Sequence, residues 1–245
     1  MATPPPPAGR RRLRKPRQLQ LPARTHGGAR EGAGRRPNGP RSGVSHLRRP
    51  SLSPRHPVHV TLRIANDFPN LRRHKVWREL RRAVLLGQKP WFRICEFSVQ
   101  TNHLHLIIEA HRGRGLTRGR QGLNIRLAKA INRTLGRRRG AVFPDRYHAH
   151  QLRSPREVRH ALTYVLNNRR KHLAQGRSRM ERSAVDPFSS AAHFRGWDRP
   201  PRASSITGEV VTARPRTWLL ARGWAQLGPL PVDAVPGPRA PPRAR

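Results

Sequence analysis

Two histidines stand two residues apart in His103-Leu104-His105. On a strand, residues i and i+2 project from one face, so both rings point together while Leu104, Leu106 and Ile108 point the other way. Paired imidazoles make a ligand pair for a divalent metal ion. Downstream, Tyr164 is followed at i+4 by Asn168, a spacing that puts both on one flank of a helix. A phenol held near a metal-bound phosphate can attack phosphorus and form a covalent phosphotyrosine. The metal polarises the non-bridging oxygens and withdraws charge as the 3′-oxygen departs. The amide oxygen of Asn168 is a candidate third ligand, with Asn167 as the alternative if the helix ends early. Tyr147 is the other tyrosine of the chain, and its expected strand position makes it the second choice as nucleophile. His59 either flanks the same site or contacts phosphate.

These residues need elements to hold them. Val58-His-Val-Thr-Leu-Arg-Ile64 alternates apolar and polar with period two, the pattern of a half-buried strand. Leu71 to Gln88 reads as a helix with Trp77, Leu80 and Val84 on one stripe, closed by Pro90. Residues 91–99 and 103–109 read as two strands joined by a tight turn at Gln100-Thr101-Asn102. A loop at 111–115 leads to a helix from Leu116 to Leu135, and 142–152 reads as a fourth strand. A last helix starts explicitly: Ser154 caps, Pro155 takes the first helical position, and Glu157 stands three residues after the cap. Val158, Ala161, Leu162, Val165 and Leu166 form its core stripe, with Glu157, Tyr164, Asn168 and His172 along the neighbouring flank. Strand, helix, strand, strand, helix, strand is the split βαβ order of α+β, ferredoxin-like domains. Its antiparallel sheet carries two helices on one face and leaves the other for function, here beside the helix that bears the tyrosine.

Charge narrows the partner. The 245 residues hold 52 Lys+Arg against 12 Asp+Glu, a formal net charge of +40. Such a field opposes a compact state and marks a polyanion binder, with nucleic acid as the default. No apolar run approaches a membrane span, and the N-terminus lacks the apolar stretch of a secretory signal. The lone Cys95 makes neither an internal disulfide nor a thiolate cage, which fits a reducing cytoplasmic setting close to the nucleoid. Residues 1–54 hold 13 basic residues, one acidic residue, 10 prolines and no aromatic. They read as a disordered basic arm, too poor in apolar surface to offset chain entropy. Residues 55–175 are the size of one ordinary domain and carry 27 basic against six acidic residues. Residues 176–245 read as a Pro-rich tail, with one short docking helix near 216–227 and an unstructured end after Pro229. Arg112, Arg114, Arg118 and Arg120 gather where a loop enters a helix, and Arg153 and Arg156 decorate the start of the tyrosine helix. Both groups are expected to contact phosphates.

The segment from Phe97 through His103-Leu-His105 to Ala110, with Tyr164-Val-Leu-Asn-Asn168 downstream, resembles the single-tyrosine transposases of the His-hydrophobic-His superfamily. It is most similar to the REP-associated tyrosine transposases, and Phe143-Pro-Asp-Arg-Tyr-His148 resembles that family's strand before the catalytic helix. The resemblance spans about residues 56–173. It implies a ferredoxin-like fold and cleavage and rejoining of single-stranded or hairpin DNA through a 5′-phosphotyrosine. It also implies a need for Mg²⁺ or Mn²⁺, without ATP. By the same resemblance His103 and His105 match the metal pair, Tyr164 the nucleophile and Asn168 the third ligand. Related sequences often place proline after that asparagine, where this chain has Arg169. The family includes dimers that share active sites, so a homodimer is one of the states it allows. The competing class is a noncatalytic RNA- or DNA-binding protein with a ferredoxin-like domain, which predicts steeply salt-dependent binding and no covalent adduct. A replication initiator or nickase would use the same chemistry in a larger chain.

Overall fold

The computed structural model describes Met1 and residues 52–136, 141–144 and 147–237, without the side chains at 112–114. The expected basic arm over 1–54 falls almost wholly outside the described residues. Four strands make one antiparallel sheet: β1 (Val58–Arg63), β2 (Phe92–Val99), β3 (His103–Ala110) and β4 (His148–Gln151), in the order β2-β3-β1-β4. Helices α1 (His74–Gly87) and α2 (Arg112–Thr134) are the two crossovers. After β4 come α3 (Pro155–Leu166), α4 (Asn168–Gln175) and, much later, α5 (Trp218–Ala221). This is the ferredoxin-like, split βαβ architecture that the element order predicts.

The alternation in β1 decides what each face of the sheet does. Val58, Val60 and Leu62 join Leu104, Leu106 and Ile108 under α1 and α2, against Trp77, Leu80, Val84, Leu123, Leu127 and Ile131. Slipping β1 by one residue would expose its three apolar side chains, at about 1.5–3 kcal/mol each. The register is therefore strongly specified, and it pairs Val60 with Leu106 and Thr61 with His105. A bulge between Ile94 and Glu96 switches the parity of β2. Ile94 and Phe97 thus face α1 and α2, whereas Cys95 turns to the opposite face. There it meets Ile107, the apolar stripe of α3, and Leu219, Leu220, Trp224, Leu230 and Val232.

Several boundaries differ from the sequence pattern, each for a physical reason. Helix α1 starts at His74 rather than Leu71, because Leu71 is buried ahead of it and gives its N–H to the Thr101 carbonyl at 2.9 Å. Helix α2 starts at Arg112 rather than Leu116. The expected loop over 111–115 instead makes the first turn of this helix, and Gly119, inside the expected span, is a close-packing position where a Cβ would lie 2.1 Å from the Phe92 ring. Strand β4 is four residues long rather than the expected 142–152. Val142 is buried beside it, and its carbonyl accepts from Ala65 N–H at 2.9 Å. The tyrosine helix breaks after Leu166, with Asn167 at φ −105°, ψ 15° between α3 and α4.

The largest departure concerns the expected C-terminal tail. Residues 176–237 lie on the body as an irregular, hydrogen-bonded layer, and just after Pro229 both Leu230 and Val232 are wholly buried. Apolar residues too widely spaced to show a period still fill the groove beside α3. The docking helix expected near 216–227 is present as α5 followed by a short 3-10 turn, Gly223–Leu227. Arg72 ties the layer down, with its guanidinium on both oxygens of Asp186 at 2.7 and 2.9 Å and on the Val99 carbonyl at 2.7 Å. Among the described residues no helix is long and apolar enough to cross a membrane.

Candidate active site

The functional end of the sheet lies on the α3 face, where β1 and β3 present polar side chains. His103 and His105 project together, as strand geometry requires, with Nε2 atoms 3.0 Å apart. His103 Nδ1 lies 2.8 Å from the Asn102 side-chain oxygen, so that nitrogen carries the proton and Nε2 keeps its lone pair. His105 Nδ1 has two neighbours on β1: the Thr61 hydroxyl at 3.1 Å and His59 Nε2 at 3.2 Å. Two tautomers of His105 satisfy these partners. With its proton on Nε2 it donates to His103. With the proton on Nδ1 it donates to Thr61, and two Nε2 lone pairs face the same point.

Tyr164 comes down on this cluster from the last turn of α3. Its ring centre is 5.0 Å from that of His105 and 5.8 Å from that of His59, both edge-on. The Lys171 ammonium sits 4.9 Å from the centre of the same phenol ring, within cation–π range. On α4 the His172 ring lies 6.1 Å from His103, centre to centre. Asn168 opens α4, four residues after Tyr164 and four before His172. It is fully buried, and neither atom of its amide has a hydrogen-bond partner among the described residues. Such an amide is costly unless something else satisfies it. Asn167 is placed differently, with its amide N–H₂ donating to the Pro231 carbonyl at 3.3 Å.

Burial sets the protonation of the histidines. It pushes His103 down to about 4, helped by the neighbouring His172 and Arg63 charges. It holds His105 well below its usual value, with His59 and His103 adding to the effect. His172 is lowered too, first by burial and then by Lys171 and Arg169. The pair is therefore neutral at physiological pH, the form in which imidazole offers a lone pair. A stability consequence follows. The unfolded chain takes up a proton on His103 near 6.5, whereas the folded chain waits until about 4. Stability from this residue is complete above pH 6.5 and is lost as pH falls towards 4, by at most about 3 kcal/mol. Urea midpoints of wild type and His103→Gln across this range should diverge at the acid end, with wild type losing more; parallel curves would contradict the burial argument.

The donor set fits a divalent cation. A separation of 3.0 Å is that of two adjacent ligands of an octahedral ion at roughly 2.1 Å bonds. Among the described residues no three His, Cys, Asp or Glu side chains are arranged to hold an ion. The donors beyond the imidazole pair would then be the unsatisfied Asn168 amide and oxygens from outside the protein. Imidazole is a softer donor than the carboxylates Mg²⁺ prefers, so Mn²⁺ is the better match of the two.

The other sequence-selected residues are elsewhere. Tyr147 packs against the core on the α1–α2 side, under the Arg120 guanidinium at 4.3 Å. Arg118 is exposed on α2, on the sheet face opposite Tyr164. The side chains of Arg112 and Arg114 lie outside the described residues. Helix α2 begins where β3 ends, roughly 23 Å along the strand from His103. Arg153 and Arg156 are exposed at the start of α3. There Ser154 Oγ accepts from Glu157 N–H at 3.2 Å, and the Glu157 carboxylate accepts from Arg153 N–H at 2.7 Å. Thr61, Asn102 and Lys171 carry no sequence signal for their places in the site. Thr61 shares the parity of His59 on β1, the one hint available, but only the register sets it opposite His105.

No family model and no curated protein matches the chain. Among solved structures, the fold is similar to a REP-associated tyrosine transposase bound to a REP hairpin. The TM-score is 0.48 at 20% identity, covering 71% of this chain and 99% of that one.

Proposed function

We propose that this protein cleaves and rejoins single-stranded DNA through a 5′-phosphotyrosine on Tyr164, in the manner of a transposase or a protein derived from one. The observation that carries the reading is the convergence of a tyrosine ring, 5.0 Å from His105, on an imidazole pair whose Nε2 atoms are 3.0 Å apart. Neither a bland polar face nor a simple nucleic-acid platform requires two neutral histidines, one buried and one half-buried, beside a phenol. Phenolate oxygen attacks the phosphorus, the new O–P bond replaces the P–O3′ bond, and the proton from the phenol ends on the departing 3′-oxygen. The phosphoester energy is kept in the phosphotyrosine, so attack by another 3′-hydroxyl rejoins the strand without ATP.

His103, His105 and Asn168 would hold Mn²⁺ or Mg²⁺, which when bound supplies Lewis-acid polarisation of the phosphoryl oxygens. Asn102 orients the His103 ring by accepting from its Nδ1, and Thr61 accepts from His105 Nδ1 in the tautomer that frees the His105 Nε2 lone pair. The Lys171 cation lies over the ring of the attacking phenol, a fixed positive charge beside the nucleophile. Single-stranded DNA, including strands that flank a hairpin, is the partner this chemistry takes.

The test is a denaturing gel of wild-type protein incubated with labelled hairpin DNA carrying single-stranded flanks. A denaturation-resistant adduct is expected with Mn²⁺, a weaker one with Mg²⁺, and none with EDTA. Salt-sensitive binding with no adduct under any of these conditions would favour the noncatalytic nucleic-acid-binding reading instead.

A further inference from the structure

A second feature on the α3 face is not used by this chemistry. A cleft of about 540 Å³ opens between the segment before β1, the start of α3 and the start of α5. It is lined by Arg55, His56, Arg153, Arg216, Trp218 and Leu219, among others, with no acidic side chain in the lining. Trp218 is 54% exposed, unusual for so large an apolar ring. The ring is nevertheless fixed. It lies flat on Gly223, where a Cβ would come within 2.7 Å of it, so one face is backed by main chain. The residues just before it are anchored from below by the buried Glu109 of β3. Its carboxylate accepts the N–H groups of Arg216 and Thr217 and the Thr217 hydroxyl at 2.8–3.0 Å. The rest of the ring is open to a cleft whose lining also includes Arg55, Arg153 and Arg216.

A rigid, one-sided aromatic platform flanked by cations suits one ligand class: an unpaired nucleobase stacked on the ring, with its phosphates on the arginines. Bases inside a duplex have both faces covered and do not offer that contact. The cleft also lies within reach of the tyrosine. From Arg153 to Tyr164 is roughly 16 Å at helical rise, and from Glu109 back to His105 is roughly 13 Å along β3, a span of a few nucleotides. We propose that the Trp218 cleft is a stacking subsite for an unpaired base of the DNA strand flanking the cleaved phosphate. The location beside a cleaved phosphate rests on the function proposed above; the stacking itself does not.

The experiment uses the full chain in EDTA, so that no chemistry intervenes, and reads fluorescence anisotropy of labelled hairpin DNA with and without a single-stranded flank. Trp218→Ala should weaken binding of the flanked hairpin roughly 5- to 100-fold and leave the blunt hairpin unchanged. Trp218→Phe should keep most of the affinity. Arg153→Ala with Arg216→Ala should lower the salt slope by about one to two. A 5-bromouracil in the flank should photocrosslink wild type within the 216–219 segment, a readout that needs no variant to fold. Equal binding of the flanked hairpin by wild type and Trp218→Ala would overturn the proposal. So would an equal loss on the blunt hairpin, or tighter binding of the same flank made of RNA. The two readings fail separately. Adduct formation without any Trp218 dependence removes the cleft alone. Trp218-dependent binding without any adduct removes the proposed catalysis and leaves the stacking site.

Discussion

Tyr164→Phe is expected to abolish the covalent protein–DNA adduct while leaving the fold intact. Only the phenol oxygen is removed. The ring that contacts His105, His59 and the Lys171 ammonium stays, so the packing of the last turn of α3 is preserved. Loss of the nucleophile in covalent catalysis typically costs at least roughly three orders of magnitude. On a denaturing gel that is complete loss of the shifted band. Tyr147→Phe is the informative control. That residue lies against the core on the α1–α2 side, under Arg120, so its hydroxyl has no route to a phosphate held by the histidines. Its adduct yield should match wild type. An undiminished adduct from Tyr164→Phe would show that the nucleophile has been wrongly assigned, and loss in Tyr147→Phe alone would move it.

Replacing Arg170 should have the largest effect on stability. Its side chain is 7% exposed and gathers the C-terminal layer onto α4. Nε donates to the Val232 carbonyl at 3.1 Å, and Nη2 to the carbonyls of Glu181, Arg182 and Ala184 at 2.6–2.9 Å. Burial lowers its pKa, yet a guanidinium remains charged at any working pH. Arg170→Met fills much of the volume but leaves several carbonyls without a donor, each worth about 1–3 kcal/mol where water cannot replace it. A loss of about 3–5 kcal/mol is expected, measured as a drop in the urea midpoint. Arg170→Lys should recover only part, because one ammonium cannot reach carbonyls spread around a planar fork. Since Asn168 stands two residues earlier on α4, the adduct rate should fall with the Met variant as well. A change under about 1 kcal/mol would mean the carbonyls find water and the layer is held by Leu230, Val232 and Trp224 alone.

Much of the half that carries the candidate site is legible because its signals are local. Period two in Val58–Ile64 marked β1 and separated Val58, Val60 and Leu62 from His59 and Thr61. His103 and His105 share a face on any strand. Ser154, Pro155 and Glu157 announce α3 as sharply as a helix start can be announced. The glycines at 113 and 115 read as a loop, because a glycine tolerated within a helix looks the same in sequence as one that breaks it. The layer over 176–237 was hidden for a related reason. Irregular backbone has no period, and its prolines resemble those of an unstructured tail until Arg170 and Arg72 supply partners for its carbonyls and for Asp186.

Arg170 shows where the division falls. The identity of the chemically able residues, their pairing along strand and helix, and the order that makes a ferredoxin-like sheet were all set by contacts within a few residues, which a linear pattern records. The sequence by itself could therefore place His103 with His105, and Tyr164 near Asn168. Tertiary structure alone decided that Thr61 meets His105, that Lys171 covers the phenol and that Asn167 is spent on Pro231 while Asn168 stays unsatisfied. It also decided that Trp218 faces solvent from a glycine bed. The Thr61 and Asn167 contacts join segments tens of residues apart, and those of Lys171 and Trp218 depend on a helix break and a turn; in each the free energy lies in burial and partner geometry that no local spacing encodes.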